Sequence, residues 1–119
     1  MLRRQLASAT ILAAILVLAC ESPTLPLPPP ELPSQEAGVD ADHIVLIAQC
    51  GGAQPAAVIV IVNTNPAVSG EQAVTGSLAN SCGAWEAPNV YAHNGDVLEV
   101  TQEYGGVLSS AELVTVQVP

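Results

Sequence analysis

The chain has 119 residues, which is enough for one small domain. Half of it is apolar, yet the aromatic residues are only Trp85, Tyr91 and Tyr104, so any core must be aliphatic. The only basic residues are Arg3 and Arg4, against eleven carboxylates spread from Glu21 to Glu112. That balance excludes nucleic acid as a partner, because nothing past residue 4 can displace counterions from phosphates with Lys or Arg. It also sets the surface against anionic lipid headgroups, while the negative charge keeps an aliphatic domain in solution.

Arg3 and Arg4 precede an apolar run, Leu6 to Ala19, interrupted by Ser8 and Thr10. Its 14 residues fall short of the roughly 20 needed to span a bilayer as a helix. A charged head, a short apolar run and a small residue before a boundary read as an export signal. The run ends in Val17-Leu18-Ala19-Cys20. With those residues the segment resembles a bacterial lipoprotein precursor. The resemblance implies cleavage after residue 19 and a diacylglycerol on the Cys20 sulfur. The membrane would then be a partner through that lipid. By resemblance to the sorting rule of such lipoproteins, Glu21 in place of an aspartate after the cysteine implies the outer membrane or cell surface.

Residues 20–42 follow as an expected tether. Six of the twenty residues from Ser22 to Ala41 are proline, which removes ladder donors and breaks any helical period. At about 3.1 Å per residue such a polyproline-like spacer would reach roughly 60 Å when extended.

From His43 the composition changes. The runs HIVLIAQ, AAVIVIVN, EQAVTGSLA, AWEA, DVLEVTQEY and AELVTVQV are each bounded by Gly, Pro, Asn or Ser, and they predict strands. No stretch keeps an apolar face at helical spacing for three turns, so helices are not expected. In DVLEVTQEY the row Leu98, Val100, Gln102 and Tyr104 is expected to face the core, and Glu99, Thr101 and Glu103 to be solvated. In the last run Val114, Val116 and Val118 are the inward row. The Asn94-Gly95 pair predicts a tight hairpin turn. Short half-buried strands at this spacing predict an all-β sandwich of six to seven strands over residues 43–119.

The order of these features resembles the bacterial immunoglobulin-like domains of secreted and surface proteins. The residues that carry it are Val58 to Val62, Gly70, Val74-Thr75-Gly76, Gly83-Ala84-Trp85 and Gly95-Asp96-Val97-Leu98-Glu99-Val100. Gly105-Gly106, Ser109-Ser110 and Val114-Thr115-Val116 complete it. The resemblance implies a seven-stranded sandwich with Trp85 as a core or semi-core aromatic, and no catalytic residues. Two departures matter. In the run after Ala57, Val58 to Val62 are apolar on both faces, so either Ile59 and Ile61 are covered internally or they form an association surface. The second departure is Cys50 and Cys82. Export permits disulfides, and once Cys20 carries lipid these two are left to pair. Their bridge would close a loop of about 30 residues, worth roughly 3–4 kcal/mol.

Chemistry is not expected. His43, His93 and the scattered carboxylates lack the spacing of a catalytic set, and no Gly-x-Ser-x-Gly motif occurs. No cofactor or metal is expected, the alternative being a cation at the Asp96 turn. The expected function is a non-enzymatic, structural, adhesive or protein-binding module of the cell envelope, with Ile59, Ile61 and Trp85 as its candidate surface. The runner-up is a small-ligand or carbohydrate-binding sandwich, with a polysaccharide held on exposed Trp85, Tyr91 or Tyr104.

Overall fold

The computed structural model describes residues 26–119. The export signal and Cys20 lie outside the described residues. Among the described residues eight strands form: β1 (Ser34–Ala37), β2 (His43–Ala48), β3 (Val58–Asn63), β4 (Val74–Leu78), β5 (Trp85–Tyr91), β6 (Val97–Tyr104), β7 (Val107–Leu108) and β8 (Glu112–Thr115). A four-residue helical turn, α1 (Gly70–Ala73), precedes β4, where a continuous strand was expected. It buries no residue, so it does not disturb the all-β core.

The strands make two antiparallel sheets. One has the order β1-β2-β5; the other has the order β4-β3-β6-β7, with β8 also paired to β6. The chain therefore changes sheet between β2 and β3, between β4 and β5, and between β5 and β6. Between the sheets lies an aliphatic core with Leu46, Ile59, Ile61, Leu98, Val100, Val114 and Val116 fully buried. The alternation expected in β6 and β8 holds for Leu98, Val100, Gln102, Val114 and Val116. Tyr104 is the exception: it is exposed, because β6 runs out beside the Gly105-Gly106 turn.

Strand β5 continues through Pro88, past the expected AWEA. The register with β2 shifts between Ile44 and Leu46, so Pro88 and Asn89 together oppose Val45. A proline needs no ladder donor at such a bulge. The Asn94-Gly95 turn closes with the Asp96 amide on the His93 carbonyl, and Gly95 takes a φ of +95°. It carries the chain from one sheet to the other, so the expected hairpin is a sheet switch.

The tether reading of residues 20–42 needs correction over its described part. β1 pairs with β2 from Ser34↔Ile47 to Ala37↔Ile44, and Pro30 and Pro33 are buried. Two glutamines do the joining. The Gln35 side chain donates to the Thr115 carbonyl and accepts from the Gln117 amide, substituting for a missing ladder rung between the sheets. Buried Gln102 accepts from the Gln54 amide at 2.7 Å and donates to the Pro28 carbonyl at 2.8 Å. The Glu31 amide also donates to the Gly52 carbonyl. Among the described residues the chain is thus joined to the sandwich from Pro28 onward.

Replacing Gln102 with Leu fills the site with an apolar side chain but strands the Gln54 donor. We expect a loss of about 1–2 kcal/mol in urea denaturation. Faster hydrogen exchange at the Glu31 amide should accompany it, since the Pro28 attachment goes too. Unchanged exchange at Glu31 would show that the segment is held by other means.

Candidate functional site

The sandwich has two distinct ends. At one end Cys50, just past β2, is bonded to Cys82 in the loop before β5, with Cα atoms 4.9 Å apart. This is the expected pairing. The backbones already meet there, since the Gly51 amide donates to the Cys82 carbonyl and the Ala53 amide to the Gly83 carbonyl. Gly83 has a φ of +83°, and a Cβ on it would collide with the Ala53 carbonyl oxygen. Pro28 and Gln102 sit at this same end.

The opposite end is organised by Asp96, which is 8% exposed. Its Oδ2 accepts from Asn63 Nδ2 at 2.9 Å and from the His93 amide at 3.0 Å; its Oδ1 accepts from Asn65 Nδ2 at 2.9 Å. Burial pushes the carboxyl pKa up, but the bonds from Asn63, His93 and Asn65 outweigh it and hold the group below its ordinary value. Both oxygens face N–H donors, an arrangement that serves an anion already satisfied by protein and not a cation site. The sequence signal for this knot was Asn63-x-Asn65 followed by Pro66, a strand ending in side chains that bond locally.

Beside Asp96 lies a small aromatic cluster. Tyr91 stands edge-on to both imidazoles, with centroids 5.6 Å from His43 and 5.4 Å from His93. His43 Nδ1 is 2.7 Å from Asp40, and His93 Nε2 is 2.8 Å from Asp42. The His43 bond, first among several, holds the exposed Asp40 carboxyl below its ordinary pKa. His93 is therefore oriented by Asp42, and Asp96 binds its backbone. A cleft lined by Gly38, Asp40, His43, Ala92, His93 and Val118 opens here. Among the described residues no group of three or more His, Cys, Asp or Glu could hold a metal ion.

The three candidate surface residues are all internal. Ile59 and Ile61 are fully buried, and Trp85 packs into the same core with its Nε1 unpaired. With Trp85 inside, the aromatic platform for a sugar loses its largest member. The expectation that β3 is apolar on both faces nevertheless leads to a surface. The other row of β3 is Val58, Val60 and Val62, on the outside of the larger sheet, where all three keep some solvent exposure.

Register defines that outer face. One row across the sheet reads Leu78, Val58, Glu103, Leu108. Another reads Val74, Val62, Glu99, Leu113. Between them come Gly76, Val60 and Thr101. Aliphatic residues thus flank a polar column, Glu99-Thr101-Glu103. The exposures of Leu78 (67%), Leu108 (63%), Leu113 (60%), Val74 (52%) and Val58 (46%) make this an open apolar face. No family model matches the chain, and no curated protein or solved structure matches it significantly.

Proposed function

We propose that this protein is an exported lipoprotein, anchored through Cys20, that presents an immunoglobulin-like β-sandwich as a non-enzymatic protein-binding module of the cell envelope. The open aliphatic face of the β4-β3-β6 sheet carries the protein-binding part of this reading, because a purely structural module has no use for it. The strand order supports the immunoglobulin-like part. In the constant-type arrangement the fourth strand lies in the sheet of the fifth; here β4 has moved beside β3, leaving a three-stranded β1-β2-β5 sheet opposite. The Val17-Leu18-Ala19-Cys20 sequence supports the anchor.

The attachment at Pro28 gives this reading a geometry. From Cys20 to Pro28 the chain can reach no more than about 30 Å. A lipidated protein would therefore ride close to the membrane with its disulfide end inward. The Asp96 end, with His43, Tyr91 and His93, would point away. The outer sheet face would stand roughly upright on the membrane, open to a neighbour in the envelope.

The test is mass spectrometry of the N terminus of protein recovered from membranes. We expect a mature chain that begins at Cys20 and carries a diacylglycerol, and a Cys20→Ser variant that stays unprocessed. An unmodified Cys20 in the mature protein would overturn the anchor.

A further inference from the structure

The two glutamates on the outer face narrow what can cover it. Glu99 and Glu103 are separated by Thr101 on one side of β6, so their Cβ atoms stand about 13 Å apart. Each sits between a β3 valine and a leucine from β7 or β8. A partner that buries the leucines must also take these carboxylates out of water, and unpaired that is costly.

A second copy of this chain cannot answer them. No Lys or Arg follows Arg4, and both histidines lie on or next to strands of the other sheet. Two such faces laid together would set carboxylates against carboxylates. Residues 21–25 bring another glutamate and no cation. An anionic membrane is repelled for the same reason.

From this we infer that the face docks a protein segment in extended conformation, carrying two Lys or Arg four residues apart on one side and set among aliphatic side chains. The spacing follows from strand geometry. Residues i and i+4 of a partner strand also lie about 13 Å apart, so both cations meet both glutamates in one register. The residue between them falls over Thr101 and Val60, and aliphatic neighbours reach the Val58–Leu78 and Val62–Val74 pairs. The inference rests on the protein-binding reading above and names the chemistry of its partner.

The test uses the full chain in detergent and two extended peptides at low ionic strength. One peptide has a face reading Lys-Val-Lys with Thr between; the other replaces both lysines with glutamate. The lysine peptide should bind at least about tenfold more tightly. A Glu99→Lys, Glu103→Lys double variant should invert the preference. Leu78→Asn with Leu113→Asn should weaken lysine-peptide binding about tenfold with an unchanged urea midpoint, since both leucines are exposed.

Equal affinity for the two peptides by the unaltered chain, or no binding of either, overturns the inference without needing any variant to fold. So does a concentration-dependent dimer that Leu78→Asn dissociates, which assigns the face to a second copy. So does binding to phosphatidylcholine vesicles that the leucine variants lose while neither peptide binds. The N-terminal mass is read on the same sample, so a failed docking face and a failed lipid anchor give different results.

Discussion

An Asp96→Ala variant should lose about 2–4 kcal/mol of stability in urea denaturation at neutral pH, a loss comparable with that of a truncated core side chain. Three donors converge on this carboxylate: Asn63 Nδ2, Asn65 Nδ2 and the His93 amide. The Asn63 amide, 4% exposed, keeps one N–H on the Tyr91 carbonyl, but truncation leaves its other N–H without a partner in a site closed to water. The Asp96 backbone is equally committed, since its carbonyl accepts from the Val116 amide. Asp96→Asn should be nearly as damaging. An amide offers one accepting oxygen where two are used, and its NH2 would face another NH2. A conservative isostere that folds with full stability would show that charge and acceptor count do not matter here.

The same carboxylate contributes to the acid limit. Its folded pKa lies below the ordinary aspartate value of about 3.9. The unfolded chain therefore binds the proton more readily than the folded one as pH falls. The stabilisation is fully present above about pH 4 and is lost progressively as pH drops from there through the folded pKa. The wild type should lose stability below about pH 4, while Asp96→Asn, weaker throughout, should show a flatter profile over that window. An identical acid slope in both would place the acid-labile group elsewhere.

Much of this fold could be read from residue order, and the misses share a physical cause. β6 and the run from Val114 to Val118 declared their inward rows because polar and apolar residues alternate along them, as Leu98, Glu99 and Val100 do. β3 could not. Val58 to Val62 carry no alternation, so the strand itself does not say which parity faces inward. That is decided by its partner: Ile61 lies opposite buried Val100, and Val62 opposite exposed Glu99. A one-residue slip would exchange the two rows, and only the pairing forbids it. Of the candidate surface residues, Ile59 and Ile61 therefore lie on the buried side of β3, and Val58, Val60 and Val62 on its outer side.

β1 was illegible for another reason. Ser34-Gln35-Glu36-Ala37 has no strand propensity and follows a proline run. Its order comes from long-range bonds, through Gln35 to residues 115 and 117 and through pairing with β2, and no local pattern encodes those. The disulfide was legible because, with Cys20 expected to carry lipid, only Cys50 and Cys82 were left to pair.

Removing that disulfide is the second change with a large expected effect. A Cys50→Ser, Cys82→Ser chain should be less stable by about 3–4 kcal/mol, from the entropy returned to an unfolded loop spanning 32 positions. The magnitude should follow that chain-entropy value closely, because the native backbone needs no bridge to hold its shape there. Gly51, Ala53, Cys82 and Gly83 already exchange backbone hydrogen bonds, so the serine chain can keep the apposition once folded. The bridge links the β2–β3 crossover to the β4–β5 crossover, while Asp96 ties the β5–β6 crossover at the far end. Two fasteners at opposite ends with no shared partner should act independently. Combining the serine pair with Asp96→Ala should therefore give a sum within about 0.5 kcal/mol of the separate losses, if the double defect still folds enough to measure. A milder probe covers the case where it does not: reduction of the wild-type bridge should lower the urea midpoint by the serine-pair amount and leave the acid slope set by Asp96 in place. A bridge whose loss flattened the acid profile would mean that the two ends are coupled through the sheets.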